Sequence, residues 1–320
     1  MKIQRLALMV SAFALAAFGS LAHAFPTKPI RLMVPFSPGG GTDILARQLA
    51  DHLSKAENWS VVVENRPGGM GAIALGAIKD AAPDGYSVIL AVRENMVIGP
   101  LLRGGGGTFD STKDFTAIAS VADTPQVIVT AASSPYKDMK QVIDHARANP
   151  QALRIGSSGA GSVAHLLAAT LDEAAKIELT HVPYQGANPA MTDVVGGHIE
   201  LVGASIASGK ALIESDRVRP LAVSSLERNP SLPDVPTIAE LGYPGFDVGS
   251  WYAVFGPKGV PEDVVLKLNA AINKVVEAPE FVKILEDQGM VARTGAPQDL
   301  DQKFQDDYKN LEEQLKKLKM

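Results

Sequence analysis

Short apolar runs alternate with segments of helical periodicity through the first hundred residues. Residues 30–34, 60–63 and 87–92 are such runs, each short enough for a buried strand. Between the first two, apolar residues recur every three or four positions across residues 44–53, which predicts a helix that begins near residue 42. Strands that alternate with helices are typical of βαβ units, so we predict a mainly parallel sheet.

The same order returns in the second half of the chain. Residues 154–156 form a short apolar strand and are followed by a helical pattern that begins near Val163. Between the halves, residues 115–121 and 127–129 have the composition of strands, and Asp123-Thr124-Pro125 separates them. We therefore predict two strands here, with a crossing between two lobes at this break.

Two lobes are the expected organisation for a chain of 320 residues. A strand at residues 248–255 returns the chain to the first lobe, and the amphipathic segment from Leu300 predicts a terminal helix on that lobe. The predicted boundaries are residues 25–124 with 249–320 for lobe 1, and residues 125–248 for lobe 2. The predicted fold class is α/β.

The turn after the first strand has the composition of an anion-binding turn. It reads Val34-Pro-Phe-Ser-Pro-Gly-Gly-Gly-Thr-Asp43 and leads directly into the predicted helix. Glycines permit close approach of the backbone, and free N–H groups at a helix N-terminus attract anions. A second turn rich in small residues, 157–162, precedes the helix of the other lobe. Without further signals, either turn could equally be a tight connection that binds nothing.

The N-terminal segment has the pattern of a signal peptide. Lys2 and Arg5 precede an apolar stretch at residues 6–18, and Ala22-His23-Ala24 matches a cleavage site. We predict that residues 1–24 are removed after Ala24 and that the mature chain is periplasmic. The alternative is an uncleaved membrane anchor, although the apolar stretch is shorter than a bilayer requires.

Composition narrows the possible functions. The chain has no cysteine, which excludes disulfides, thiol catalysis and thiolate metal sites. Its formal net charge of −5 argues against a nucleic-acid partner, which would favour a basic surface. We expect a monomer that needs no cofactor.

Catalytic signatures are weak. The turn at Ser157-Ser158 has alanine where a nucleophile elbow has its last glycine. His165 lies on the predicted helix that begins at this turn, where it cannot act as a base without a third partner. The histidines show no metal-binding spacing, and Glu94 is the lone carboxylate at the predicted rim of the sheet. The two predicted turns offer hydrogen-bond donors but no reactive group, which favours a binding protein. No metal site is expected.

The chain contains, in this order, the motifs VPFSPGGGTD, VVVENRPGG, PDGY, HVPYQG, LAVSS and LPDVPT. Together they resemble the receptors of tripartite tricarboxylate transporters, the Bug-type periplasmic solute-binding proteins. The resemblance implies a two-lobed periplasmic binding protein fold of type II character, each lobe a sheet flanked by helices, with the ligand cleft between them. It also implies a small carboxylated ligand and delivery to membrane permease subunits. A sensor kinase partner and, less favoured, a periplasmic enzyme are the alternatives.

The resemblance also transfers candidate binding residues to matching positions. They lie in three turns: Phe36, Ser37, Pro38, Gly39, Gly40 and Asp43; Ser157, Ser158, Gly159, Ser162 and His165; and Tyr184, Gln185 and Gly186.

Two segments depart from the family pattern, and both are expected to line the cleft. Arg93-Glu94-Asn95 stands where small or hydroxyl residues are usual, and Leu201–Ser205, which contains Ala204, lacks the usual aromatic residue. We predict that Arg93 binds a second carboxylate and so favours a diacid, because its guanidinium forms bidentate hydrogen bonds. The alternative is that Arg93 pairs with a nearby acid of the protein.

Overall fold

The computed structural model describes residues 25–104 and 107–318, so the predicted signal peptide lies outside the described residues. The first elements are β1 (Ile30–Val34), α1 (Gly41–Glu57), β2 (Val61–Asn65), α2 (Ala72–Lys79), β3 (Ser87–Val92) and α3 (Gly99–Leu102), with a π-helical turn at Glu94–Ile98. The middle elements are β4 (Phe115–Ala131), α4 (Met139–Ala148), β5 (Arg154–Ser157), α5 (Val163–Ala175), β6 (Thr180–Pro183), α6 (Ala187–Val195), β7 (Leu201–Ser205), α7 (Ile206–Glu214) and β8 (Val218–Val223). The last are β9 (Gly249–Pro257), α8 (Glu262–Val276), α9 (Pro279–Asp287), β10 (Val291–Ala292) and α10 (Pro297–Leu315).

The first sheet has the strand order β2-β1-β3-β9-β4-β10. β1 pairs in parallel with β2 and β3, as the alternation of strands and helices predicts. β9, which follows the long connection that returns the chain to this lobe, is antiparallel to both β3 and β4. The sheet is therefore mixed, and its parallel part is confined to the first three strands.

The second sheet has the order β8-β4-β7-β5-β6. β5 is parallel to β6 and β7, whereas β7 and β8 run antiparallel to β4. Because β5, β6 and β7 are parallel, their carboxyl ends meet at one edge of the sheet.

The expectation of two strands around Asp123-Thr124-Pro125 is wrong: β4 is one strand of 17 residues. Its first half pairs with β9 and β10, and its second half pairs with β7 and β8. Proline disrupts a strand where a neighbouring strand needs its N–H. Pro125 is tolerated because it lies opposite Gly249, where β4 leaves the first sheet and joins the second.

Ser224 connects the segments that cross between the sheets. Its hydroxyl accepts from the backbone N–H of Gln126 at 2.8 Å and donates to the carbonyl of Val248. Its backbone N–H donates to the Gln126 carbonyl at 2.9 Å, and its carbonyl accepts from the Val248 N–H at 3.0 Å. One residue therefore joins the outgoing strand to the returning chain.

Helices cover both faces of each sheet. In the first lobe, Leu49 of α1 and Ile272 of α8 share a core with β1, while Leu75 of α2 packs on the opposite face. In the second lobe, α4 and α5 cover one face and α6 and α7 the other. No helix in the described part of the chain is long and apolar enough to cross a bilayer.

The terminal helix α10 packs on the first lobe through aromatic rings. Phe304 lies 6.2 Å from the ring of Trp251 and 5.7 Å from that of Phe255, both on β9. These edge-to-face contacts bury the apolar side of the helix. The protein is therefore a pair of α/β lobes with α10 against the strand that returns to lobe 1.

Candidate functional site

The first-lobe turn is held in place by a buried carboxylate. Asp43 accepts hydrogen bonds from the Gly39 N–H at 2.9 Å, from Arg47 Nε at 3.0 Å and from Asn65 Nδ2 at 2.9 Å. Asn65 Nδ2 also donates to the Phe36 carbonyl at 3.1 Å. The hydrogen bond from Arg47, followed by that from Gly39, lowers the pKa of Asp43 to about 2. Asp43 thus positions the turn.

The second-lobe turn is held by neutral groups instead. Ser157 Oγ accepts from the Gly159 N–H at 3.2 Å and lies 2.6 Å from His181 Nε2. Ser162 caps α5, because its hydroxyl accepts from the His165 N–H at 3.2 Å. The side chain of Ser157 is fully buried, so it supports the turn from below.

Two histidines stack beneath this turn. The rings of His165 and His181 lie 3.8 Å apart and nearly parallel, at 8°. The Gly161 N–H donates to His165 Nδ1 at 3.1 Å, so that nitrogen carries no proton. Burial, together with the neighbouring His165, lowers the pKa of His181 to about 4, and burial also lowers the pKa of His165. Both rings are therefore neutral at pH 7.

The third predicted turn is fastened to the second. The Tyr184 N–H donates to the Ser157 carbonyl at 3.0 Å, and the Gly186 N–H donates to the Ser158 carbonyl at 3.2 Å. The Tyr184 hydroxyl donates to Asp193 Oδ2 at 2.7 Å, and burial with this hydrogen bond raises the pKa of Tyr184 to about 12. The proton of the Tyr184 hydroxyl is therefore already used in a hydrogen bond within the protein.

A cavity of about 760 Å³ lies between the lobes, at the carboxyl ends of the parallel strands. Its size is within the range of about 300–1,000 Å³ usual for ligand pockets. Five predicted residues line it: Phe36, Ser158, Gly159, Ser162 and Ala204. The remaining predicted residues lie outside this lining: Ser37, Pro38, Gly39, Gly40, Asp43, Arg93, Ser157, His165, Tyr184, Gln185 and Gly186. Ligand contact stays a prediction for all of these residues except Arg93, whose guanidinium is bound by the protein.

Four helices begin at this cavity. Its lining includes the first residues of α1, α5 and α6 and the second and third of α7: Gly41, Val163, Ala187, Ala207 and Ser208. Each start presents N–H groups without a partner inside the helix, together with the positive end of the helix dipole. Among the described residues that line the cavity, none is Lys, Arg or His. Backbone N–H groups and hydroxyls, rather than side-chain cations, are therefore the donors that the lining offers to an anion.

Arg93 is bound by the protein. Its guanidinium donates from Nη2 to Asp307 Oδ1 at 2.6 Å, from Nε to Oδ2 at 2.9 Å and from Nη1 to the Gly249 carbonyl at 3.0 Å. Asp307 also accepts from Trp251 Nε1 at 2.9 Å. The donors that a second carboxylate would use are occupied by α10 and β9. This placement corrects the expected role of Arg93 and matches the alternative, pairing with an acid of the protein.

The neighbour of Arg93 faces the cavity instead. Glu94 lines it together with Ser250 and Tyr252 of β9, and the Ser250 hydroxyl donates to Glu94 Oε2 at 2.5 Å. Burial raises the pKa of Glu94, although the hydrogen bond from Ser250 opposes that shift. Burial, followed by the nearby Glu94 charge, raises the pKa of Tyr252 to about 12.

Sequence reasoning missed Ser250 and Tyr252, and it placed Glu94 at the rim without a role. The sequence contains a signal for Glu94, since it follows the same strand end as Arg93. The start of the helix after β7 was given no role in the site, although a strand followed by a helix is part of the signal that identified the first two turns.

Comparison with known proteins gives the family. The model of the tripartite tricarboxylate transporter family receptor matches residues 45–320. A protein encoded between tcbD and tcbE in Pseudomonas sp. strain P51 is 40% identical over 86% of this chain and 82% of its own length. Protein BugT of Bordetella pertussis is 33% identical over 86% of this chain and 85% of its own length.

Solved structures agree. A TctC solute-binding protein from Polaromonas has a TM-score of 0.81 and 30% identity, covering 92% of this chain and 100% of the other. Rpa4515 of R. palustris, solved with adipate, has a TM-score of 0.77 and 33% identity, covering 90% of this chain and 96% of the other. The expected two-lobed periplasmic binding protein fold is thereby confirmed. This chain belongs to the tripartite tricarboxylate transporter receptor family of Bug-type, TctC-like solute-binding proteins.

Proposed function

We propose that the protein is a periplasmic receptor that binds a small carboxylate between its lobes and delivers it to the permease subunits of a tripartite tricarboxylate transporter. The observation that carries the proposal is the convergence of four helix N-termini on one cavity between the lobes. A carboxylate accepts hydrogen bonds from several N–H donors at once, and the related Rpa4515 was solved with the dicarboxylate adipate.

The shape of the cavity supports a ligand that both lobes hold together. Ser158, Gly159 and Ser162 approach from the second lobe, and Phe36 with Thr42 from the first. A solute held by both lobes stabilises the closed arrangement over the open one, because only the closed arrangement provides both sets of contacts. A closed receptor differs in shape from an empty one, and a permease could distinguish the two on that basis.

We assign the lobes to residues 25–124 with 249–320 and to residues 125–248, and we assign residues 1–24 to a cleaved signal peptide. The pairing of Pro125 with Gly249 supports the boundary, because β4 and β9 separate at that point. The family supports a periplasmic location. We propose a monomer as the acting form.

Binding without turnover is the role that the buried groups favour. The Ser157–His181 contact has the residue types of a nucleophile and its base, but Ser157 has no exposed surface and lies beneath the turn. A ligand in the cavity would meet Ser158 rather than Ser157. We therefore propose a receptor and not a hydrolase.

A panel of carboxylates tests the proposal. The mature protein is screened by thermal shift, and the compounds that raise its melting temperature are then titrated by calorimetry. We expect at least one small carboxylate to bind in the micromolar range or tighter, corresponding to about 8 kcal/mol. Binding only to solutes that lack a carboxylate would contradict the proposal, and release of a converted product would favour an enzyme.

A further inference from the structure

The Glu94 carboxylate is an unusual group in a cavity built to attract anions. It is partly buried in the lining, and Ser250 is the donor to its Oε2 atom. No Lys, Arg or His of the described chain forms an ion pair with it. The nearest candidate, Arg93, gives its guanidinium to Asp307 and to the Gly249 carbonyl. The cavity therefore contains one carboxylate whose charge the protein does not neutralise by direct contact.

The two lobes present different chemistry to a ligand. Three of the four helix starts, those of α5, α6 and α7, belong to the second lobe, whereas Glu94 follows β3 in the first. Thr42 and Tyr252, which lie on Glu94's side of the cavity, are neutral. A ligand that spans the cavity with its carboxylate on the second lobe would place its other end near Glu94.

The charge of that other end decides how well the ligand fits. A second carboxylate would lie near an existing carboxylate in a partly desolvated site, which is unfavourable. A cationic nitrogen would donate a charge-assisted hydrogen bond to the Glu94 carboxylate and would offset the cost of burying the Glu94 charge. The raised pKa of Glu94 records that cost in the empty cavity.

We propose, on the basis of the proposed carboxylate-binding function, that Glu94 makes this receptor selective for zwitterionic ligands, whose carboxylate meets the helix starts of the second lobe and whose cationic nitrogen meets Glu94. This preference is the opposite of the diacid preference predicted from Arg93, because the negatively charged Glu94 faces the cavity and Arg93 does not.

The test uses three matched series of unbranched acids that differ only in the far end. The amino acids are β-alanine, γ-aminobutyrate and δ-aminovalerate; the diacids are succinate, glutarate and adipate; the monoacids are butyrate, valerate and caproate. Calorimetry measures each against the wild-type mature protein, Glu94→Gln and Glu94→Asp. Glu214→Gln, an exposed position on α7, controls for the change in net charge.

In the wild type we expect the best amino acid to bind at least about tenfold more tightly than the diacid of the same chain length. Glu94→Gln should weaken that amino acid about ten- to a hundredfold, because glutamine keeps the acceptor and loses the charge. It should leave the monoacid unchanged within about twofold and strengthen the diacid up to about tenfold. Glu94→Asp should keep the preference for the amino acid.

Several outcomes would overturn the inference. One is that the wild type binds the diacid more tightly than the matched amino acid. Another is that Glu94→Gln loses equal affinity for the amino acid and for the monoacid. The wild-type preference is measured without any variant, so the inference can be rejected even if Glu94→Gln does not fold. Binding of carboxylates without discrimination would remove the role of Glu94 and leave the proposed function intact. If no carboxylate of any series or panel binds, both fail.

Discussion

The turns after β1 and β5 lead to equivalent helix starts, but the protein fixes them by different means. In the first lobe an ionised Asp43 accepts from Gly39, Arg47 and Asn65. In the second lobe the uncharged Ser157 and a pair of neutral histidines hold the turn in place. The comparison shows that a glycine-rich turn before a helix start can be held in place by a charged group or by neutral ones.

The two support systems differ in their response to acid. Asp43 stays ionised down to about pH 2, whereas the histidine pair has its pKa values lowered from 6.5 and resists protonation through mild acid. The first turn should therefore keep its geometry where the second has begun to lose stability.

The largest effects are expected from filling the two turns. Gly41→Val and Gly159→Val both place a side chain at helix-start N–H groups, so each should lower carboxylate affinity at least about tenfold, measured by calorimetry. Only Gly159→Val should also destabilise the fold, by about 1–3 kcal/mol in urea unfolding, since Gly159 has φ +139°. An added Cβ at Gly41 meets nothing within 4 Å.

The control for this pair is Gly245→Val. Gly245 also has a positive φ, +79°, and open space around it, but it lies outside the cavity lining. It should lose stability and keep its affinity. Wild-type affinity in a folded Gly41→Val protein would mean that the α1 start does not meet the ligand.

The next largest effect is expected when Asp43, the charged group that supports the first-lobe turn, is removed. Asp43→Ala should lower the free energy of unfolding by about 1.5–3 kcal/mol, because hydrogen bonds to an ionised group are lost and the turn loses its acceptor. Arg47→Ala removes only the exposed partner and should cost less than Asp43→Ala. Urea unfolding at pH 7 measures both. Equal costs would show that the ion pair, and not the contacts to Gly39 and Asn65, supports the turn.

The histidine pair predicts a smaller loss of stability in acid. In the unfolded chain the histidines take up protons below pH 6.5, whereas folded His181 does so only near pH 4. Their contribution is therefore fully present above pH 6.5 and is lost as the pH falls from 6.5 to about 4. We expect a loss of about 1–2 kcal/mol, allowing for solvent at the partly exposed rings.

Urea unfolding between pH 7 and pH 4 measures this effect. The double variant His165→Gln, His181→Gln should show a shallower decline than the wild type over that range. A decline of equal slope would assign the acid sensitivity to other groups and would remove this difference between the turns.

The smallest effect concerns one hydroxyl. Ser158→Ala should weaken carboxylate binding by about 0.5–1.5 kcal/mol, as expected for one neutral hydrogen bond. Ser37→Ala is the matched change in the first-lobe turn, where the side chain lies outside the cavity lining, and it should alter affinity less. Calorimetry with the same carboxylate compares them, and a larger loss in Ser37→Ala would reverse the assignment.

Local patterns predicted the fold well where the deciding contacts are close in sequence. The bounds of β1 and β3 agree with the predicted runs, and α1 begins at Gly41, next to the expected start. The two glycine turns were identified because strand end, small residues and helix start are adjacent. The continuity of β4 was not, because Pro125 is tolerated only through strands formed from distant residues.

The candidate site was less predictable for the same reason. The fate of Arg93 depends on Asp307, which is 214 residues away in the sequence. Because the sequence does not show that Asp307 lies beside Arg93, the guanidinium was predicted to bind the ligand and Glu94 was given no role. The sequence indicates which residues reach the rim of the sheet, whereas the tertiary contacts decide which of them the protein itself uses.

The hydrogen bonds of Ser224 have a consequence for the thermodynamics of closure. Because this residue ties Gln126 of the outgoing strand to Val248 of the returning chain, the two crossings bend together rather than independently. We therefore expect relative motion of the lobes to be close to rotation about a single axis. A ligand that closes the lobes restricts few degrees of freedom, so little of its binding energy offsets lost conformational entropy.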